Sequence, residues 1–166
     1  MGCGKSSIGV RLSANLGFDF IDTDSLLEEQ FGKKIAEIFE MEGEDAFRVA
    51  EQKVLQAIVA RDDDVVVACG GGMPCFFNAM AMMNVAGITV YLKLTAEMLL
   101  KRLRDEMAHR PLLSHQKDLM GYIANMLNER ETFYGLAWHC MVVGESDTIA
   151  DVCTTIQAMV EDRLQG

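Results

Sequence analysis

The sequence has few cysteines and histidines, and their spacing does not suit a disulfide or metal framework. Among 166 residues there are five Cys and three His. The number of cysteines is odd and no pair has C-x-x-C spacing, which argues against both a disulfide framework and a zinc site. The histidines show no metal-ligand spacing either. We therefore expect reduced thiols.

The sequence also lacks long hydrophobic runs and an excess of basic charge. Its longest apolar runs, residues 65–69 and 88–92, have the length of strands rather than of membrane-spanning helices. No signal peptide is apparent after Met1, so we expect a cytoplasmic protein without a membrane partner. The net charge of −10 argues against nucleic acid as a partner. Small anionic substrates remain possible where a few arginines converge.

The apolar pattern predicts one α/β domain over residues 1–166 with a parallel sheet, because 3.6-period segments alternate with apolar strands. The irregular, polar residues 105–117 are expected to form a lid. Thr95 is the expected N-cap of its helix. The pattern predicts strands at 18–22, 65–69, 88–94 and 140–143. It predicts a first helix that begins within residues 5–7 and ends at Gly17, followed by helices at 24–31, 35–40, 44–60, 74–85 and 95–103. A further helix after the lid ends at about residue 134, and a last one begins at residue 149.

The opening residues, MGCGKSS, match the second half of a phosphate-binding loop. In the signature G-x-x-x-x-G-K-[ST], the first glycine would stand two positions before Met1. A helix that begins at this sequence offers backbone N–H groups and a positive dipole end to phosphate. The lysine can reach the phosphates, and the first serine hydroxyl can reach Mg²⁺. The alternative is a glycine-rich start that happens to contain one lysine.

Two further segments follow predicted strands, where ligands bind in open α/β sheets. Asp22 and Asp24 are one residue apart and can serve one site, although Asp24 could simply cap the next helix. Three consecutive glycines, residues 70–72, let a ligand approach the backbone or permit an unusual turn.

Three arginines, Arg48, Arg110 and Arg130, are candidates for binding an anionic ligand. Each could instead form a surface ion pair. Glu51 follows Arg48 by three residues and could hold its guanidinium on the same helical face.

These motifs occur in one order: GxGKS, FIDTD, IAEIF-x-x-x-GE-x-x-FR, GGG, RPLL and R-x-x-x-Y. In this order and spacing the sequence resembles the shikimate kinase family over essentially its whole length. The resemblance implies a three-layer α/β/α P-loop kinase. It also implies transfer of a phosphoryl group from ATP to the 3-hydroxyl of shikimate, in the pathway to chorismate and the aromatic amino acids.

For the nucleotide, the resemblance implies a site formed by the loop and by two later arginines. Ser6 and Asp22 are implied to hold Mg²⁺, Asp22 through water. Arg102 is implied to stack on adenine, and Arg110 to close over the transferring phosphoryl group. We also hypothesise that alkylation of Cys3 inhibits the protein. The residues assigned to ATP are Gly2, Cys3, Gly4, Lys5, Ser6, Ser7, Arg102 and Arg110.

For the second substrate, the resemblance implies that Asp24 binds the shikimate hydroxyls and orients or deprotonates the attacking one. Arg48 and Arg130 are implied to clamp the shikimate carboxylate, for which a bidentate arginine is suited and a lysine is not. Gly70, Gly71 and Gly72 are implied to lie against the ring. The implied catalytic residues are Lys5, Asp24 and Arg110.

In this family the strand before the phosphate loop lies in the middle of the sheet, in the order 2-3-1-4-5, and no matching strand precedes Gly2. Without it, the strands near residues 65 and 88 would be about 9–10 Å apart. Two alternatives stay open: an upstream start that this sequence omits, or a defective product. Two functional alternatives accompany them, a catalytically impaired nucleotide-binding protein and a kinase for another polyol acid such as gluconate. A monomer is expected.

Overall fold

Helices and short parallel strands alternate along the chain in the computed structural model, which describes residues 2–106 and 118–165. The α/β class predicted from the sequence is confirmed. A short 3-10 turn, Met73–Cys75, follows the glycine run. The helices and strands are α1 Lys5–Leu16, β1 Asp19–Asp22, α2 Thr23–Phe31, α3 Ile35–Val59, β2 Val65–Ala68, α4 Ala79–Ala86, β3 Val90–Lys93, α5 Ala96–Glu106, α6 Leu119–Tyr134, β4 His139–Val142 and α7 Ile149–Gln165.

The strands found in the described residues form two parallel pairs. In the first, β1 pairs with β2 so that Asp22 lies opposite Ala68. In the second, β3 pairs with β4 so that Lys93 lies opposite Val142. Within residues 2–106 and 118–165, no hydrogen-bonded ladder joins β2 to β3. The order of the two pairs relative to each other stays a prediction.

A single apolar cluster connects the two strand pairs. It includes Ile8 of α1, Leu103 of α5, Ile123 of α6 and Val152 of α7, all buried. Val66 of β2 packs against this cluster, as do residues of β3. Since burial of apolar surface is the main favourable term in folding, this shared core packs α1 together with residues of both strand pairs.

Helix α1 ends where the sequence predicts. Ile8 and Leu12 are buried one turn apart, and the N–H of Gly17 donates to the carbonyl of Ser13. Gly17 has φ 73°, a left-handed conformation that costs glycine little and terminates the helix.

Helix α3 unites the two helical segments predicted at 35–40 and 44–60. They meet at Gly43, which has φ 81° and ψ 168° and is therefore not helical. The prediction of two helical pieces thus corresponds to one element with a sharp kink. The kink places the second piece, with Arg48, at a new angle to the first.

The single helix predicted at 74–85 is wrong. Phe77 and Asn78 have φ 50° and 58°, so the chain leaves the 3-10 turn through two left-handed residues before α4 begins. Two consecutive residues in this region cannot continue a right-handed helix. The predicted lid spans residues 105–117; α5 includes residues 105 and 106, and residues 107–117 lie outside the described part of the chain. In the described part, no helix is long and apolar enough to cross a membrane.

Candidate functional site

The glycine loop leads directly into the N-terminus of α1. Gly2 and Gly4 have φ 67° and 86°, values that favour glycine. No side chain caps the helix at Gly4, and its first turn contains no acidic residue. The N–H groups of a first helical turn lack partners within the helix. This end of α1 is therefore suited to an anion such as phosphate.

Lys5, in the first turn of α1, forms an ion pair with Asp24 of α2. Its Nζ lies 3.2 Å from Asp24 Oδ2. Burial lowers the pKa of Lys5, but the nearby carboxylates of Asp24 and Asp22 outweigh burial and raise it above 10.5. Lys5 is therefore cationic at neutral pH and lies beside both carboxylates of the D-T-D motif.

Asp22 connects the loop to the end of β1. One of its carboxylate oxygens accepts a hydrogen bond from the Ser6 hydroxyl. The other accepts from the backbone N–H groups of Asp24 and Ser25, at 3.0 and 3.3 Å, and so caps α2. The interpretation of Asp24 as the cap is therefore wrong, because the capping oxygen belongs to Asp22. A hydroxyl and a carboxylate side by side fit Mg²⁺, which binds a few protein oxygens and retains several waters.

Helix α5 covers the other side of the loop. Arg102 donates from Nη1 to the Cys3 carbonyl at 3.1 Å, and Leu103 lies against Gly2. Cys3 is half-buried and Ser7 is exposed. The structure thus brings Arg102 to the loop predicted to bind ATP. Arg110 lies outside the described residues.

Arg48 occupies a buried position on the second piece of α3. Its Nη1 donates to Glu51 Oε2 at 2.6 Å, and its Nε and Nη2 donate to Glu44 Oε1 at 3.2 and 2.8 Å. Burial raises the pKa of Glu51, and the negative charge of Asp24 raises it further, while Arg48 and Arg130 oppose the rise. Glu51 therefore lies within the electrostatic reach of three predicted site residues.

The glycine run lies between these charged groups. A Cβ on Gly70 would come within 2.5 Å of Asp24 Oδ1 and 3.0 Å of Glu51 Oε1. A Cβ on Gly72 would come within 2.3 Å of Arg48 Nη1. The distances to Asp24 and Arg48 are shorter than real Cβ contacts, so a side chain at Gly70 or Gly72 would force Asp24 or Arg48 to move. The run brings the backbone against both the carboxylate side and the arginine side of the site.

Thr23 joins the ends of β1 and β2 beneath the glycine run. It is fully buried. Its hydroxyl accepts from the N–H of Gly70 at 2.7 Å and donates to the Ala68 carbonyl at 3.4 Å. Thr23 thereby fixes the glycine run relative to the two aspartates that flank it in sequence.

Arg130 and Tyr134 approach the glycine run from the C-terminal part of α6. The Tyr134 hydroxyl donates to the Gly71 carbonyl at 2.5 Å. Burial raises the pKa of Tyr134, and the charge of Arg130 and its hydrogen bond to the phenol oppose that rise. Burial likewise raises the pKa of Cys75, and Arg130 opposes it. Arg130 is therefore close to the loop that follows the glycines.

The site gathers cations and carboxylates at the carboxyl ends of β1 and β2, and the half-buried Cys69 directly follows β2. Burial raises the pKa of Cys69 to about 12, although Lys5 opposes this. The Cys69 thiol is therefore neutral. The described residues contain no cluster of three or more His, Cys, Asp or Glu side chains able to hold a metal.

Sequence reasoning did not identify Thr23, Glu44, Phe76 or Tyr134 as parts of this site. For Tyr134, the R-x-x-x-Y spacing was a usable signal, because residues four apart share a helical face. The Thr inside D-T-D could have been recognised as the residue that faces the neighbouring strand. No sequence pattern indicated that the Phe76 ring lies over Arg48, with Cζ 4.3 Å from the ring centre.

A phosphate-binding loop at the start of a helix, with acidic residues at the end of the neighbouring parallel strand, defines the class of P-loop kinases. Comparison with known proteins gives the family. The family model for shikimate kinase matches residues 1–161. The chain belongs to the shikimate kinase family.

Individual relatives agree with this assignment. A shikimate kinase of Azobacteroides pseudotrichonymphae is 43% identical over 139 residues, which cover 82% of each chain. The crystal structure of shikimate kinase from Bacteroides thetaiotaomicron matches with a TM-score of 0.89 at 33% identity, covering 97% of this chain and 94% of that one. Shikimate kinase from Acinetobacter baumannii in complex with shikimate matches with a TM-score of 0.88 at 30% identity, covering 98% of this chain and 89% of that one.

Proposed function

We propose that this protein transfers the γ-phosphoryl group of ATP to the 3-hydroxyl of shikimate, giving shikimate 3-phosphate and ADP. The observation that carries the proposal is the ion pair between Lys5 and Asp24, at 3.2 Å. Lys5 is suited to bind the transferring phosphate and Asp24 to bind the attacking hydroxyl, so the ion pair places these two groups side by side. Phosphoryl transfer depends mainly on positioning and charge neutralisation, and a lysine and carboxylate in contact supply both.

In this proposal the N-terminus of α1 and Lys5 bind the phosphates of ATP, and Arg102 lies toward the adenine. Ser6 and Asp22 would hold Mg²⁺, which supplies charge neutralisation at the phosphates when bound. Lys5 exchanges its contact with Asp24 for the phosphoryl oxygens as ATP binds. Arg110 of the predicted lid would complete the charge around the phosphoryl group.

For shikimate, Asp24 accepts a hydrogen bond from the attacking hydroxyl and so directs its lone pair at the γ-phosphorus. Arg48 and Arg130 bind the carboxylate, because both flank the loop after the glycine run. Gly70 and Gly72 leave room for the ring between these groups, as a side chain at either position would collide with Asp24 or Arg48. The lid would exclude water from the phosphoryl group.

The test is a substrate panel with purified protein, ATP and Mg²⁺, in which ADP release is followed and the phosphorylated product is identified by ³¹P NMR. We expect turnover with shikimate and little with gluconate, and loss of turnover in Asp24→Asn. Preference for gluconate would support a kinase for another polyol acid. ATP binding without turnover of any acceptor would support the impaired nucleotide-binding alternative.

The cytoplasmic location, the monomeric state, the single domain with its lid, and the lack of nucleic-acid partners stay predictions. They rest on the composition and pattern of the sequence. Light scattering of the purified protein in the presence and absence of ATP tests the monomeric state.

A further inference from the structure

The guanidinium of Arg48 is enclosed on its faces and at its Nη end. The Phe76 ring centre lies 4.3 Å from Cζ, and those of Phe39 and Phe47 each lie 5.4 Å away. The two Nη atoms lie against Gly72, where an added Cβ would be 2.3 Å from Nη1 and 2.9 Å from Nη2. As a result, only 9% of the Arg48 side chain is exposed.

The remaining edge of the guanidinium, formed by Nε and Nη2, is bound by Glu44. Both nitrogens donate to the same oxygen, Oε1, at 3.2 and 2.8 Å. Arginine uses this kind of two-nitrogen edge to bind a carboxylate in bidentate fashion. Glu44 therefore occupies a position on Arg48 that a carboxylate ligand could take.

The two glutamates on Arg48 differ in their exposure. The Glu51 side chain is 3% exposed and holds Nη1 from inside the protein. The Glu44 side chain is 57% exposed. Glu51 is thus a permanent buried partner, whereas Glu44 can exchange its contact with Arg48 for water without burying an unpaired charge.

The backbone next to Glu44 allows such an exchange. Gly43 has φ 81° and ψ 168°, a conformation that is essentially restricted to glycine, and it interrupts α3 immediately before Glu44. Glu44 therefore begins the second helical piece and is not locked by helical hydrogen bonding on its N-terminal side.

We propose that Glu44 is a placeholder for the carboxylate of the substrate: it binds the Nε and Nη2 edge of Arg48 until the incoming carboxylate displaces it. The inference rests on the proposed function, because it requires that Arg48 bind a carboxylate. It explains how a buried guanidinium keeps charged partners on two of its edges before the substrate arrives. It also makes Glu44 a competitor that weakens substrate binding.

The first test is isothermal titration of shikimate into the protein and its Glu44→Gln variant. Glutamine keeps the size and one acceptor oxygen but removes the competing charge. Since half-exposed ion pairs are weak, we expect the dissociation constant to fall about two- to fivefold. The matched control is Glu42→Gln, which removes the same charge on the other side of Gly43 from an exposed pair with Lys33 at 3.8 Å. It should leave the dissociation constant unchanged.

The second test repeats the titrations with the carboxamide of shikimate, which lacks the competing charge. Glu44→Gln should tighten binding of the acid and not of the amide. Weaker or unchanged binding of the acid in Glu44→Gln, or equal tightening of both ligands, would overturn the placeholder role. These results are separable from failure of the proposed function, which would appear as absence of shikimate phosphorylation in the unsubstituted protein. Thermal unfolding of each variant verifies that the fold is intact.

Discussion

Lys5 Nζ and Asp24 Oδ2 lie 3.2 Å apart, so the first turn of α1 and the first turn of α2 are joined by an ion pair at the centre of the site. Asp22, the residue that caps α2, also bonds Ser6 of α1. The two aspartates of the D-T-D motif thus contact neighbouring residues, Ser6 and Lys5, at the N-terminus of α1. This arrangement keeps Lys5 cationic and sets the positions of the Ser6 and Asp22 oxygens that are proposed to bind Mg²⁺.

The first prediction concerns pH. Burial lowers the pKa of Lys5, and Asp24 and Asp22 raise it above 10.5. Because the folded pKa is higher than the unfolded one, the stability that Lys5 contributes is fully present below pH 10.5 and is lost as the pH rises through the folded pKa. The pH profile of kcat/KM should therefore show no lysine titration below about pH 10. A descending limb at about pH 8–9 that Lys5→Arg shifts upward would contradict this.

The second prediction concerns Mg²⁺. Asp22→Asn removes the charge beside Ser6 but keeps an oxygen that can cap α2, so unfolding free energy should change by less than about 0.5 kcal/mol. The Mg²⁺ concentration for half-maximal activity should rise about 10- to 100-fold. Measuring activity over a range of Mg²⁺ concentrations gives this half-maximal value. Asp118→Asn is the control, because Asp118 caps α6 by accepting from Gly121. An equal effect of both substitutions would show that Asp22 acts only as a cap.

The third prediction concerns the glycine run. Gly70→Ala places a Cβ 2.5 Å from Asp24 Oδ1 and must displace that carboxylate. A displacement of about 1 Å at a reacting group costs on the order of 100-fold in rate, so kcat should fall about 10- to 100-fold. Gly87→Ala is the control, since a Cβ there meets nothing within 4 Å. Activity of Gly70→Ala within a factor of about two of the control would remove Asp24 from the reaction.

The fourth prediction concerns Tyr134. Tyr134→Phe deletes the hydrogen bond to the Gly71 carbonyl and should lower the unfolding free energy by about 0.5–1.5 kcal/mol. The looser glycine run should raise KM for shikimate more than KM for ATP, which initial-rate kinetics with each substrate varied will show. Tyr91→Phe is the matched control. The Tyr91 ring packs on Tyr134 with centres 4.9 Å apart, but its hydroxyl donates to Glu131 and not to the glycine run. A KM for shikimate that is unchanged in Tyr134→Phe would limit Tyr134 to a structural role.

The ends of helices were predictable where the residue at the end determines the backbone conformation. Gly17 and Gly32 end α1 and α2 at φ 73° and 63°, and both residues are recognisable in the sequence as helix stops. The run at 74–85 was misassigned because its apolar residues suit a helix, yet Phe77 and Asn78 adopt left-handed conformations. Asparagine adopts this conformation more readily than most residues, but phenylalanine does not favour it, so at Phe77 it depends on the surrounding packing.

The parts of the site were predictable as residue types and not as contacts. Lys5, Asp22, Asp24 and Arg48 were identified from motifs, and the structure brings the first three together. The pairing of Glu44 with Arg48 was not foreseen, because a surface glutamate four residues from an arginine is common on helices. The kink at Gly43 and the enclosure of Arg48 distinguish this pair from an ordinary ion pair on a helix surface, and both are visible only in the structure.

The sequence by itself determined which groups are available: a glycine loop before a helix, carboxylates after a strand, glycines after a second strand, and arginines on two helices. Those features are local, since backbone freedom, capping and apolar periodicity act over a few residues. The tertiary structure decided which carboxylate meets which cation. Asp24 meets Lys5 and lies against Gly70, while Arg48 is held between Glu44, Glu51 and Gly72. The pairs of Arg48 with Glu44 and Glu51 are local to α3. The contacts of Asp24 with Lys5 and Gly70, and of Arg48 with Gly72, join residues far apart in the chain, and only the packing of the helices around the parallel strands brings them together.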